Sequence, residues 1–192
     1  MAVQLVLAMM AVQLVLRDTK VGSAVEAKID SAIFNLNRKR LEKVRVENRT
    51  EVVNRGGDDV NAEYFPDEVS QDSAPFDPNH LATEFTSKES DEFVRFFNDV
   101  NSEGPESGWM MRREEVINSD GSLMSAAEIK DKFAIPNMPN KMVVLTAPAG
   151  TRMIVGKANP IEKYGTGGGE QYFSRDWVTS EWYDTSSIIE ID

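Results

Sequence analysis

KMVVLTAPAGTRMIVG, residues 141–156, is the stretch on which the fold reading turns. Lys141 to Ala147 and Thr151 to Gly156 are rich in β-branched and large apolar residues, and they flank Pro148-Ala149-Gly150. Two such runs joined by a Pro/Gly turn predict a β-hairpin. Further strand candidates follow at Gln171-Tyr172-Phe173 and at Ile188-Ile189-Glu190-Ile191. Upstream, Ser119-Asp120-Gly121 marks a turn, and Ser125-Ala126-Ala127-Glu128 has the spacing of a capping box. There the serine oxygen accepts from an orphan amide and the glutamate reaches back to the cap. The helix so begun ends near Phe133, because Pro136 disfavours helical geometry at Ile135. Residues 106–192 therefore read as an α+β domain, one helix followed by a small, mostly antiparallel sheet.

Outward from this core the text thins. Residues 90–101 predict a short helix, with Ser90 as cap, Asp91 and Glu92 at its positive end, and Phe93, Phe96, Phe97 and Val100 on one face. Residues 46–88 have no clear periodicity. They carry Gly56-Gly57-Asp58-Asp59 and Pro66, Pro75 and Pro78, so 46–105 reads as an acidic irregular arm with one helix. Residues 1–45 read as a helical N-terminal segment, with Val25, Ile29, Ile33 and Leu36 at helical spacing. Its first 16 residues are apolar apart from Gln4 and Gln13, and repeat AVQLVL at 2–7 and 11–16. That run falls short of the roughly 20 residues a membrane span needs. Its basic residues, Arg17 and Lys20, follow it instead of preceding it, unlike a signal peptide. A packed helix is the plainer reading, with contact of 1–16 with a membrane as the alternative.

Composition narrows the chemistry. The 192 residues contain no Cys and a single His, His80, which excludes thiolate chemistry and any metal held mainly by histidines of one chain. The net charge is −11. It is +4 over residues 1–45, −11 over 46–105 and −4 over 106–192. This argues against nucleic acid as a partner, since phosphate-backbone binding runs on Lys and Arg. A basic protein partner or a small substrate fits better.

The least ordinary stretch is Gly165-Thr166-Gly167-Gly168-Gly169-Glu170-Gln171-Tyr172. So many glycines cost backbone entropy, and they are tolerated where backbone must approach something closely or adopt positive φ. The loop is either a flexible turn or an anion-binding nest of backbone amides. It is neither a Walker loop nor a dinucleotide fingerprint, because no Gly-Lys-Ser/Thr and no helix follows. Gln171 can donate and accept hydrogen bonds to a substrate, and Glu170 can stabilise positive charge when a glycosidic bond breaks. Trp109 can stack on a base, and Arg112, Arg113 or Arg152 can grip phosphate. For each, the bland alternative is ordinary packing or surface charge. His80, in the acidic arm, is a weaker catalytic candidate. Trp177, Trp182 and Tyr183 read as anchors for the end of the chain.

Several segments resemble the C-terminal effector domains of bacterial polymorphic toxins of the contact-dependent inhibition type. These are Trp109 to Arg113, the helix end Lys132-Phe133-Ala134-Ile135-Pro136, Pro148-Ala149-Gly150-Thr151, and Gly165 to Tyr172. The ending GTGGGEQY is similar to the GGG-x-Q-Y of the tuberculosis necrotizing toxin family, NAD(P) glycohydrolases related in fold to ADP-ribosyltransferases. The resemblance implies cleavage of the nicotinamide–ribose bond with Gln171 in the site and an Arg that helps hold the dinucleotide, Arg113 or Arg152; with the neighbouring carboxylate, the expected catalytic residues are Gln171, Glu170 and Arg113. Arg152, Gly167, Gly168, Gly169, Tyr172 and Trp109 are then the residues expected to hold the dinucleotide. NAD or NADP is then the substrate, with no further cofactor and no metal. The Phe133–Pro136 segment lacks the Arg expected before its Ala-Leu-Pro-like run. Val46-Glu47-Asn48-Arg49 is similar to the VENN junction that precedes some delivered toxin domains, which gives residues 1–45 a translocation role.

The expectation is thus a secreted or delivered toxin effector of bacterial competition. It consumes NAD(P) as glycohydrolase or ADP-ribosyltransferase, and an immunity or carrier protein is its partner. The alternatives are a non-enzymatic interaction protein and a toxin ribonuclease, the latter needing a basic cleft that 106–192 does not offer.

Overall fold

A computed structural model describes residues 32, 36, 37, 39, 40, 42–101 and 104–192. The apolar repeat at 1–16 and most of the helical segment expected over residues 1–45 lie outside the described residues. Residues 42–47 are helical and lead into the sheet.

Eight strands form one sheet: β1 (Arg49–Gly56), β2 (Leu81–Ser87), β3 (Asp91–Phe97), β4 (Trp109–Met111), β5 (Lys141–Ala147), β6 (Arg152–Lys157), β7 (Glu170–Ser174) and β8 (Ile189–Glu190). Their order is β1-β2-β6-β7-β4-β3-β5-β8. Every ladder is antiparallel. Beyond the helical residues 42–47, the described residues form helices α1 (Gly57–Tyr64), α2 (Pro66–Ser70) and α3 (Ala126–Phe133). The α+β class and the mostly antiparallel sheet are as the sequence predicts.

The hairpin is not. β5 pairs with β3 and β8, while β6 pairs with β2 and β7. Three strands separate them in the sheet, yet only residues 148–151 join them in sequence. The sheet therefore curls until its two halves meet at that corner. Ser87 pins the corner, donating from its amide to the Thr151 carbonyl and accepting from the Gly150 amide. The reason lies in burial. Val143 and Leu145 of β5, and Met153 and Val155 of β6, all enter one core on the concave face with Phe85, Phe93, Met110 and Tyr172. Facing each other across that core removes more apolar surface from water than flat pairing would.

The expected helix at 90–101 is strand β3, followed by a short 3-10 turn. Phe93 and Phe97 enter the concave core, whereas Val94 and Phe96 pack on the opposite face against Ile129 and Phe133 of α3. A strand buried on both faces gives a continuous apolar run, which periodicity alone cannot separate from a helix. The region read as an irregular arm likewise supplies β1, β2 and β3 to the same sheet as residues 106–192. Helix α3 is as expected: both halves of its capping box form, and it ends at Ala134 in the left-handed conformation. Strands at 171–173 and near 189–190 also form as read. Trp182 is buried as an anchor, but Trp177 is 84% exposed.

A third apolar cluster lies under α1, where Phe65, Phe76, Trp109 and Phe173 pack ring against ring. The β3–β4 ladder holds by one register pair only, Val94 with Met111. The sheet opens at that seam.

Candidate functional site

A cavity of about 400 Å³ lies at the seam. That is within the size range of small-ligand sites. Trp109 and Met111 of β4 and Gln171 of β7 form one wall, and β3 adds Arg95 and Phe96. The end of α3 and the residues after it, Phe133 to Pro136, form a second wall. Ile161 and Tyr164 close one side. Glu68, Ser73 and Pro75 come from the segment that loops out between Phe65 and Phe76. The lining is thus mainly aromatic and aliphatic, with one guanidinium, one carboxylate and one amide among its polar groups.

Gln171 is buried, 6% exposed, and donates from Nε2 to the Pro75 carbonyl at 2.8 Å. A carbonyl can only accept, so the amide nitrogen must face it. Oε1 remains as an acceptor. The Arg95 guanidinium reaches the Trp109 carbonyl, Nη1 to O 3.4 Å, across the open seam.

Gln171 and Trp109, both expected in a site from the sequence, meet here. So does the segment 133–136 that carried part of the resemblance. Glu170 does not line the cavity. Strand alternation turns its carboxylate to the concave face, where Oε1 accepts from the Tyr172 hydroxyl at 2.9 Å. Tyr172 is 1% exposed, and burial pushes its phenol pKa up. Arg113 is exposed on a 3-10 turn and lines no part of the cavity. Arg152 is held on the surface by Asp176, with Nε and Nη2 both donating to Oδ1. His80 is exposed and bonded to Asp77.

The glycine loop packs against the end of α3. Gly167 and Gly169 donate from their amides to the Asp131 and Lys132 carbonyls, and Gly168 donates to Ala158. Thr166 donates from its amide and hydroxyl to the Asp131 carboxylate, which lowers that carboxyl's pKa, the hydroxyl contributing most. These amides are engaged within the fold, so the loop is a helix-end clasp here and not an open nest. The glycines are needed for close approach: a Cβ at Gly165 would sit 2.4 Å from the Asp131 carbonyl oxygen.

Arg95, Glu68 and Tyr164 were not singled out from sequence. Arg95 and Glu68 fall in the region read as an arm, and only recognising 91–97 as a strand beside 109–111 would have pointed to Arg95. Among the described residues no group of three or more His, Asp or Glu is arranged to hold a metal ion. Among them, too, no helix is long and apolar enough to cross a membrane.

Fold and cavity together define an α+β protein with an aromatic-walled cavity on a splayed antiparallel sheet. Comparison with protein-family models, with curated proteins and with solved structures found no match to this chain.

Proposed function

We propose that the cavity binds the nicotinamide riboside end of NAD or NADP and that the chain cleaves the nicotinamide–ribose bond. One observation carries this reading: Gln171, Trp109 and the Phe133–Pro136 segment, read separately from the sequence, line one cavity together with Arg95. The walls suit a flat ring held between aromatic faces, and the pyridinium of NAD or NADP is such a ring, its positive charge favoured over an aromatic face. Arg95 is the group for a phosphate.

In the reaction the C1′–N bond breaks and its electron pair goes to the pyridinium ring, which leaves as neutral nicotinamide. Positive charge develops on the ribose, as in other glycosidic cleavages. The Gln171 Oε1 accepts a hydrogen bond from the attacking water or from a ribose hydroxyl. The Glu68 carboxylate supplies compensating negative charge. Water adds at C1′ and releases a proton, giving ADP-ribose; an acceptor nucleophile in its place gives ADP-ribosylation. In this reading the fold is a relative of the ADP-ribosyltransferase and NAD glycohydrolase folds, and the protein is a delivered toxin effector. The resemblance at 46–49 and 165–172 supports both.

The test is incubation of the purified protein with NAD and with NADP while nicotinamide release is followed, with Gln171→Ala alongside. Release that is lost in the variant is the expected result. A folded wild-type protein that releases none overturns the reading and favours an interaction protein.

A further inference from the structure

We infer that Asn159 is a positioning residue for Gln171, acting through the Pro75 carbonyl; this rests on the reading of the cavity as the site of bond cleavage. The segment 66–75 closes over the cavity as a loop whose ends meet, since the rings of Phe65 and Phe76 lie 5.9 Å apart. Between those rings little is buried: all of α2 is exposed, and Ser73, Ala74 and Pro75 are half-buried. Packing therefore does not fix where Pro75 sits. Hydrogen bonds do.

Asn159 makes two of them. Its Nδ2 donates to the Ala74 carbonyl at 2.9 Å, and its backbone amide donates to the Pro75 carbonyl at 2.8 Å. The second lone pair of the Pro75 oxygen takes Gln171 Nε2. Both side-chain amides face carbonyls, so neither can be reversed without placing two oxygens in contact. The Asn159 backbone amide on the Pro75 oxygen and the Asn159 side chain on the Ala74 carbonyl, one peptide upstream, thus hold the Pro75 peptide together, and its oxygen sets which atom of Gln171 enters the cavity. The glycine loop makes the arrangement possible. Gly167 has φ +67°, and a Cβ there would lie 2.7 Å from the Asn159 carbonyl carbon. In this way the loop serves the site by letting Asn159 into place, without touching a ligand.

The experiment pairs kinetics with the side-chain amide NMR signals of Gln171, assigned by their loss in Gln171→Glu. Asn61, whose Nδ2 donates to the Phe76 carbonyl at 2.6 Å, is the internal control for folding. In wild type the Gln171 amide protons exchange slowly with solvent. Asn159→Ala keeps the backbone bond to the Pro75 oxygen but removes the Nδ2 bond that anchors the Pro75 peptide at Ala74, so the Gln171 amide protons exchange faster and lose their shift dispersion while those of Asn61 keep theirs. The same variant lowers kcat for nicotinamide release by roughly 10- to 100-fold and leaves KM within about threefold, the signature of a misplaced group as opposed to lost binding. A Gln171 signal unchanged in Asn159→Ala, or already in fast exchange in wild type, overturns the inference. Wild-type protein without nicotinamide release overturns the proposed function, and the amide signals then decide the positioning by themselves. Should Asn159→Ala fail to fold, the wild-type exchange rates and Asn159→Ser give the same decision.

Discussion

The guanidinium of Arg112 lies over the ring of Phe93, 3.9 Å from its centroid, and grips Asp91 with both terminal nitrogens at 2.5 Å. Arg112 is almost wholly buried, at 1% exposure, and ties the end of β4 to the start of β3. Those strands share one register pair, so the ion pair, with the Arg112 bond to the Glu92 carbonyl and the Arg95 bond to the Trp109 carbonyl, fastens the seam beneath the cavity. Removing one member of a buried pair leaves an uncompensated charge, at a cost of roughly 3–5 kcal/mol. Asp91→Ala is therefore expected to lose about that much stability in urea unfolding. Arg112→Met, which removes the charge but keeps volume, is expected to lose less. Equal losses in the two variants would show that Arg112 is held by its ring contacts and not by Asp91.

The glycine loop makes a second set of expectations, because its members differ in surroundings. A Cβ at Gly169 would lie 2.5 Å from the Phe133 ring, whereas one at Gly168 meets nothing within 4 Å. Gly169→Ala forces Phe133 and the end of α3 to shift, the kind of overpacking that costs roughly 1–3 kcal/mol. Gly168, at φ +84°, bears only the strain of a side chain in the left-handed region, about 1–2 kcal/mol. Thermal melts should rank Gly169→Ala below Gly168→Ala. The opposite order would mean that the loop sits away from α3.

That loop also shows what the sequence could and could not say. Its glycines announce close backbone approach, and the approach is there, but the target is the Asp131–Lys132 backbone and not a ligand. Local signals were reliable: the Ser125 capping box, the stop before Pro136, and the alternation that leaves Arg152 exposed beside buried Met153. Long-range pairing was not legible. Nothing in residues 141–156 states that Met142 to Ala147 will pair with β3, because the choice depends on Phe93 and Phe97 some fifty residues earlier. Arg95 was hidden for the same reason. Its neighbours satisfy helical and strand periodicity alike, and only the sheet decides between them.

Stability should respond to pH at both ends. At the acid end, Ser125 holds Glu128 below the ordinary carboxylate range through its hydroxyl first and its backbone amide second, and Thr166 does the same for Asp131. A depressed folded pKa stabilises at pH values above the unfolded one, and that stabilisation is lost as pH falls below about 4. At the alkaline end, burial first and then hydrogen bonds with Glu63 and Glu84 push Tyr64 up to about 12. Tyr172 and Tyr183 are raised as well, burial again coming first. A raised folded pKa gives stabilisation that is whole below the unfolded value, about 10, and disappears as pH climbs through the folded one. Tyrosinate absorbance of the folded protein should show at least three of its four tyrosines resisting ionisation at pH 10. Melting temperatures should fall below pH 4, and Glu128→Gln with Asp131→Asn should flatten that limb.

Glu170 and Gln171 are neighbours in sequence and lie on opposite faces of β7, so they separate a catalytic contribution from a structural one. The Glu170 carboxylate accepts a hydrogen bond from the Tyr172 hydroxyl, and inside the concave core that hydroxyl oxygen in turn accepts from Arg49 Nη2 at 3.3 Å. Glu170→Ala leaves a buried hydroxyl without an acceptor, at about 1–3 kcal/mol. It changes nothing that lines the cavity. Gln171→Ala removes one of two donors to the Pro75 carbonyl, while Asn159 retains the other, so the loss of stability should stay near 1 kcal/mol, the net worth of one hydrogen bond. In the reading proposed here it also removes the acceptor at the reacting carbon, and nicotinamide release should fall by roughly 100-fold or more. The expected pattern is therefore crossed: Glu170→Ala unstable and active, Gln171→Ala stable and inactive. Should Glu170→Ala be the inactive variant at temperatures where it remains folded, the reaction belongs on the concave face with Tyr172 and Arg112, and the cavity at the seam is not its site.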